Sequence, residues 1–505
     1  MTGYPLLQHL PIIPILFPFL VALVVTLPWL NGHMGLQRFI TQIGLLVLVA
    51  INTSLLIGAI DNGAIGYALG DWAAPFGILL IADPLSTIML LLTSVLALAA
   101  HLYACAGEDA KGRFFHPLFM FQLMGLNGAF LTADAFNLFV FFEILLIASY
   151  SLLVHGGGWQ RTKAAQHYVL YNLIGSAFFL IALAVLYRAF GTLNIPDMAQ
   201  KVATLPAENA PLVQVAGGLL LVVFGVKAAL LPMHFWLPRT YSSTSIPVAA
   251  LFAVMTKVGI YSMWRIHNVI FADAASVPFM SLLPWLAGLT VVAGSVGVLS
   301  SSSLRWLIAN LVIISVGTLL MTVSIGTEAT IAAGIFYCIH STLMCGAFFL
   351  LSGVLSQQRG QAEDRLVSSK PLINPMFSGI VFVVIAMALI GLPPFSGFIG
   401  KIYLMRATLM SGDAYWVWPL ILLSGLAAMI ALSRAGTTIF WRHQGSALDK
   451  SSLDLSLRLP KIAVMLLAVC SPLLVIFAGP MTELSLRAAT ELMSGFSPVY
   501  LSGGQ

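Results

Sequence analysis

Four charged side chains, Glu143, Lys227, Lys257 and Lys401, stand where so apolar a chain has no structural need of them. Lys227 lies in FGVKAALLPMHFWLPRT, flanked by LLLVVFGV and AALL, with no acid near it in sequence. An ionised lysine at the centre of a bilayer costs on the order of 2.5–3.5 kcal/mol on insertion scales. It needs a partner from another segment, access to water, or partial neutrality. Glu143 is mid-span in AFNLFVFFEILLIASY and Lys257 mid-span in VAALFAVMTKVGIYSMW, while Lys401 closes GLPPFSGFIGK. Plainer alternatives exist for each. Glu143 as a protonated acid could bond a neighbouring helix, Lys257 could snorkel to the interface, and the half-helix of Lys401 could end near one. Lys257 is too deep in its span for snorkelling to serve. Among the histidines, His234 follows Lys227 by two turns and shares its face if the helix continues. His340 is mid-span in FYCIHSTLMCGAFFL, beside Ser341 and Thr342. Each suits either a neutral packing role or a proton relay, because imidazole titrates near neutrality. His101, His155 and His267 lie near span ends and read as ordinary, and Asp83 and Asp134 open spans as helix N-caps. A carboxylate and several lysines in low dielectric perturb one another strongly, so a proton arriving at one destabilises charge on the next. Such a series can pass protons by turns without a redox cofactor.

The elements that must position these groups are membrane helices, each needing about 20 apolar residues. Fourteen such segments can be read, near 11–30, 36–59, 79–103, 114–132, 135–154, 165–188, 212–233, 245–267, 279–300, 304–325, 329–355, 374–410, 416–440 and 461–481. Pro232 and Pro238 interrupt the seventh just past Lys227, and Pro393 and Pro394 interrupt the twelfth just before Lys401. A broken helix at membrane depth is tolerated where it is buried in protein or lines a cavity. The seventh and twelfth spans are the fourth members of two five-span blocks, helices 4–8 and 9–13. An odd number of spans per block inverts the second against the first, the pattern of inverted-repeat transporters. The expected division is an N-terminal three-helix region, 1–113; two inverted repeats, 114–270 and 271–441; and a loop with the last helix, 442–505.

Composition fixes the class. The chain has 505 residues, 59% hydrophobic and 8% charged, against about 25% charged in soluble proteins. An all-α polytopic membrane protein is expected, without a removable signal peptide. Of the 23 lysines and arginines, fifteen fall in one set of alternate loops, five in the other, and three inside spans. That bias puts the richer set in the cytoplasm, with both termini facing out. Because the net charge of +5 is spread over loops, it argues against a nucleic-acid partner. Cys105, Cys338, Cys345 and Cys470 lack metal-ligand spacing. The sequence offers no haem, flavin or iron–sulfur ligation and no phosphate-binding loop for ATP, so no cofactor and no metal are expected.

The stretch VKAALLPMHFWLPRTYSSTSIPVAALFAVMTKVGIY resembles the signature of the proton-translocating subunits shared by respiratory complex I and the Mrp cation/proton antiporters. The resemblance covers roughly 79–440, with acid, lysine, broken helix and second lysine in the family's order. It implies that Glu143 and Lys227 are the paired charges of a first half-channel, that Lys257 connects, and that Lys401 is the charge on the second broken helix. The LPPFSGFIGK stretch, with lysine at its end, is most similar to the D-type branch of Mrp-type (Pha-type) monovalent cation/proton antiporter subunits. Many relatives carry lysine four residues after the histidine, and here that position is Met344. The central step then falls to His340, to the hydroxyls of Ser341 and Thr342, or to water. The implied function is proton translocation in a multi-subunit Na+(K+)/H+ antiporter of a bacterial inner membrane, both termini on its periplasmic side, with other membrane subunits, lipid, protons and Na+ or K+ as partners. The alternatives are a proton-pumping membrane subunit of a complex I-like oxidoreductase and a non-transporting structural subunit.

Overall fold

The computed structural model describes residues 9–30, 32–271, 278–443 and 456–494. Both chain ends, and most of the 442–460 loop including Lys450, lie outside the described residues.

Apolar segments in a bilayer must satisfy their backbone internally, so they become helices. The first six spans are α1 (Ile13–Thr26), α2 (Met34–Asn62), α3 (Pro84–Ala104), α4 (Phe115–Leu131), α5 (Ala135–Val154) and α6 (Trp159–Phe190). A short helix, α7 (Ile195–Lys201), precedes the seventh span. That span is broken, as its prolines require: α8 (Ala210–Ala228) stops before the Leu230–Pro232 turn, and α9 (Trp236–Ser243) resumes. The eighth span is also in two pieces, α10 (Ile246–Phe252) and α11 (Met255–Ile270), where the apolar run in the sequence implies one continuous helix. Then follow α12 (Leu283–Ser300), α13 (Leu304–Ile325) and α14 (Glu328–Gln358). The twelfth span divides into α15 (Pro375–Ile390) and α16 (Ser396–Ser411), and α17 (Ala414–Trp441) is the thirteenth. The last apolar segment runs from Arg458 to Met493 as α18 (Arg458–Ala468), α19 (Cys470–Ile476) and α20 (Ala478–Met493), longer than the expected 461–481. All fourteen apolar segments are thus helical. Among the described residues, eleven stretches are long and apolar enough to cross a membrane unaided.

One feature is not helical. Residues 65–68 and 79–82 form a two-stranded antiparallel hairpin, Ile65 opposite Ala82. The start expected for the third span, at 79, is therefore strand, and α3 begins at Pro84, where Asp83 and Ser86 cap each other reciprocally. Asp134 likewise caps α5 through the Asn137 amide. Asp83 does more than cap. Its carboxylate, 4% exposed, is bonded by the guanidinium of Arg265 on α11. Arg265 Nε also donates to the Tyr261 hydroxyl at 2.9 Å, and that hydroxyl donates to the Phe130 carbonyl on α4. Three helices are tied by one buried charge pair.

The core is organised on α14, whose apolar centre is wholly buried. Around it pack α3, α10, α13, α15, α16, α18 and α20. The lysine-bearing helices α11 and α16 therefore lie beside α13 or α14, and His340 sits on α14 itself.

Candidate functional site

Lys227 lies in the last turn of α8. The helix ends because Ala229 adopts a left-handed conformation (φ 64°), and the Leu230 N–H closes back onto the Gly225 carbonyl at 2.8 Å. The break frees backbone groups that must find partners in an apolar setting. Trp236 Nε1 donates to the Val226 carbonyl at 3.0 Å, and the Leu231 N–H donates to Thr290 Oγ1 on α12 at 3.0 Å. With those satisfied, the Lys227 amine turns to α6, where Nζ donates to Asn172 Oδ1 at 3.2 Å. It also lies 5.4 Å from the centroid of Phe142.

Glu143 on α5 accepts a hydrogen bond from Ser176 of the same α6. Asn172 and Ser176 are one turn apart, so they share a face. The acid and the lysine do not form a direct ion pair among the described residues. They meet through this Asn–Ser step, within electrostatic range of each other. The geometry replaces a contact pair with a bridged one.

Lys257 is fully buried on α11, just past the eighth-span interruption. Its Nζ donates to Ser315 Oγ on α13 at 3.0 Å and lies 3.4 Å from Thr256 Oγ1. Cys338 and Cys345 of α14 are in electrostatic range.

His340, 1% exposed, points from α14 to the start of α16. Nδ1 and Ser396 Oγ are 2.8 Å apart, and Ser396 Oγ is 2.8 Å from Ser471 Oγ on α19. A methyl at Gly397 would fall 1.9 Å from the Ala388 carbonyl and 2.8 Å from His340 Nε2, so only glycine lets α16 approach the ring this closely. Ser341 and Thr342 do not join this series: both hydroxyls donate to the Cys338 carbonyl of their own helix. Met344 is buried.

Lys401 reaches back across the second break. Its Nζ donates to the carbonyl of Ile390, the last residue of α15, at 2.6 Å. A side chain at Gly391 or at Gly425 on α17 would come within 3.2 Å of the amine, so the two glycines form the notch that admits it. A cation at a helix C-terminus meets the negative end of the dipole. In each break the freed carbonyl is capped, by the Trp236 indole in the first and by the Lys401 ammonium in the second.

His234 lies beyond the first break in a single tight turn, its ring tilted against Phe235 with Nδ1 unpartnered. Because α8 ends at Ala228, His234 does not share the face of Lys227. Asn172, Ser176, Ser315, Ser396 and Ser471 carry the contacts and were missed in the sequence. Only the i, i+4 pair Asn172 and Ser176 within an apolar stretch was a legible signal. No cluster of three or more His, Cys, Asp or Glu could hold a metal ion among the described residues.

A family model described as "NADH:quinone oxidoreductase/Mrp antiporter, TM" matches residues 132–430. The chain is similar to the D-type component of a probable K(+)/H(+) antiporter of Rhizobium meliloti, 42% identical over 476 residues, 86% of this chain and 87% of that one. It is 35% identical to the D-type component of a Na(+)/H(+) antiporter of Bacillus subtilis, over 87% of this chain and 88% of that one. Among solved structures it is similar to a chain of the Mrp complex from a Dietzia species. The TM-score is 0.86, with 26% identity across 98% of this chain and 99% of that one.

Proposed function

The chain belongs to the NADH:quinone oxidoreductase/Mrp antiporter membrane family, and from that premise we propose how its buried charges work in a Na+/H+ or K+/H+ antiporter of the Mrp type. It is the D-type antiporter subunit, a transporter component rather than an enzyme, and it assembles with other membrane subunits. Its helices pass the membrane many times, in our reading the bacterial inner membrane with both termini periplasmic. Residues 114–270 and 271–441 act as two inverted repeats, each with its broken helix.

Protons move through Glu143, Lys227, Lys257, His340 and Lys401. Ser176 and Asn172 carry the first exchange, because each can reorient between the acid and the amine as donor or acceptor. Ser315 receives Lys257, and Ser396 with Ser471 receives His340. Water completes the steps between these clusters. His234 borders the first break as an accessory proton site. Cation efflux of Na+ or K+ is coupled to this inward proton flow, driven by the proton-motive force, in a lipid-embedded complex.

The observation that carries this reading is the pair of helix breaks, each with a lysine beside it: Lys227 in the last turn of α8, its amine on Asn172, and Lys401 with its amine on the carbonyl that ends α15. A helix interruption and a buried cation together cost stability, and a purely structural subunit has no use for both. The alternative role in a respiratory oxidoreductase is weaker, because relatives above 30% identity are named as antiporter components. The test is proton/cation exchange in inverted membrane vesicles carrying the whole complex. Glu143→Gln and Lys227→Ala should abolish exchange while the complex still assembles. Normal exchange in either variant would sink the pathway.

A further inference from the structure

Away from the lysine series, α2, α3 and α4 enclose a second set of titratable groups. Asp109, in the loop after α3, is fully buried and receives Arg38 of α2 bidentately, Nε to Oδ2 at 2.6 Å and a terminal nitrogen to Oδ1 at 2.7 Å. His116 Nε2 of α4 is 3.2 Å from Asp109 Oδ2, at an angle too poor for a full hydrogen bond. His116 Nδ1 is 3.0 Å from His101 Nε2 of α3, and His101 Nδ1 is 2.6 Å from Gln42 Oε1 of α2. Burial pushes the Asp109 carboxyl up, but the contacts from His116 and Arg38 outweigh it and hold the group down at about 2. A cavity of about 380 Å³, lined by Asp109, His116, Gln37 and Arg113, opens this cluster toward the loop.

Proton counting makes the arrangement informative. Three links run between two acceptors, the Asp109 carboxylate and Gln42 Oε1. Each link needs one proton to keep two lone pairs from facing each other, whether it closes as a hydrogen bond or, toward Asp109, as a charge contact, and two neutral imidazoles bring two. With the Gln42 amide as placed, the third link is filled only when one ring is an imidazolium. If the amide turns over, its NH2 fills that link and two protons suffice.

We propose that His101 and His116, with Asp109 and Gln42, form a proton-binding site distinct from the Glu/Lys series, which takes up a third proton from the loop side and reports it through the orientation of Gln42. Asp109 supplies the countercharge, and Arg38, partly in solvent, shares it. The other groups around the pair are few. Cys105, just past the end of α3, lies 3.7 Å from His101 Nδ1. Glu108 is paired with Lys111 at 2.5 Å, and its carbonyl meets His155 Nε2 at the end of α5. Neither α1 nor α10, which pack on α4 and α3, carries an ionisable side chain. On α18, Lys461 lies over Phe377, and Glu491 of α20 is near Asp83, at the opposite end of α3. The loop carries Lys111 and Arg113 and so belongs to the side read as cytoplasmic. In that setting the site fills as the cytoplasm acidifies and lowers exchange, a role that rests on the proposed transport function.

Hydrogen–deuterium exchange at imidazole C2, read by mass spectrometry on the intact complex, reports ring protonation whether or not the complex transports. Uptake of the third proton is expected as a single titration step of the imidazole pair as the pH is lowered. Gln42→Glu, a fixed acceptor with charge, should raise its midpoint by about one unit, tenfold in proton affinity, and Gln42→Leu should lower it. The acid limb of exchange activity should move with it. Rings that take up no proton as the pH is lowered, or a midpoint unmoved by both variants, would overturn the site. A ring titration that shifts in Gln42→Glu while the acid limb stays put would overturn its regulatory role.

Discussion

Lys227 does not meet its acid. It meets an amide that sits one turn from a hydroxyl, and the hydroxyl meets the acid. Removing a hydrogen bond to a charged, buried group costs about 1.5–3 kcal/mol. Asn172→Leu should therefore slow exchange by about tenfold or more, while Asn172→Asp, placing a carboxylate in contact with Lys227, should trap the amine charged and also slow it. Initial rates in vesicles at matched assembly check both, and wild-type rates in Asn172→Leu would remove the bridge. The chemistry-bearing residues were legible in the sequence because a charge in an apolar run is conspicuous. Their partners were not, because Ser315, Ser396 and Ser471 are single hydroxyls of a kind that membrane helices carry everywhere, and only the packing of α11 on α13 and of α14 on α16 selects them. His234 shows a related limit: two turns of spacing mean a shared face only if the helix persists, and α8 ends at Ala228.

At the scale of elements, prolines announced both broken helices, yet each break sits slightly before its prolines, where Ala229 and Gly391 turn left-handed at φ 64° and 86°. What holds the first break is the Leu231 amide on Thr290. Thr290→Val leaves that donor unsatisfied, so a loss of about 1–3 kcal/mol is expected, seen as a lower midpoint in detergent melts of the complex. An unchanged midpoint would mean that water takes over. At the second break Gly397→Ala should be worse, since its methyl would overlap the Ala388 carbonyl. Overpacking of this kind costs typically about 1–3 kcal/mol, occasionally more. The displaced α16 should lose the Ser396 contact to His340, so exchange should fall more steeply than complex yield. The interruption between α10 and α11 carries no proline at its centre, and for that reason sequence periodicity passed over it. The hairpin at 65–68 and 79–82 was hidden likewise, its second strand being as apolar as the span it precedes.

For the whole molecule, fourteen helical segments and their order followed from composition and from the length a bilayer demands, so the architecture was the most legible part. What composition could not reveal was the cross-linking between distant segments, of which Asp83 with Arg265 is the clearest case. Removing one partner of a buried ion pair costs about 3–5 kcal/mol. Arg265→Met should destabilise the complex on that scale, and Asp83→Asn with Arg265→Met should recover part of the loss. Equal melting midpoints for the single and double variants would leave the pair without coupling. The 31 residues of α14 span about 46 Å at 1.5 Å per residue, well beyond a hydrocarbon slab of about 30 Å. Its apolar centre is nonetheless sheathed in protein, while α2, α6, α12 and α17 have most of their apolar residues outside the interior of this chain. Bilayer thickness therefore has no direct grip on the helix that holds His340. A membrane too thin or too thick strains the outer helices, at fractions of a kcal/mol per ångström of mismatch, and leaves the central step untouched. Reconstituted in lipids of graded chain length, the complex should show thickness-dependent durability but one common pH profile, as if the machinery carried its own private solvent across the membrane.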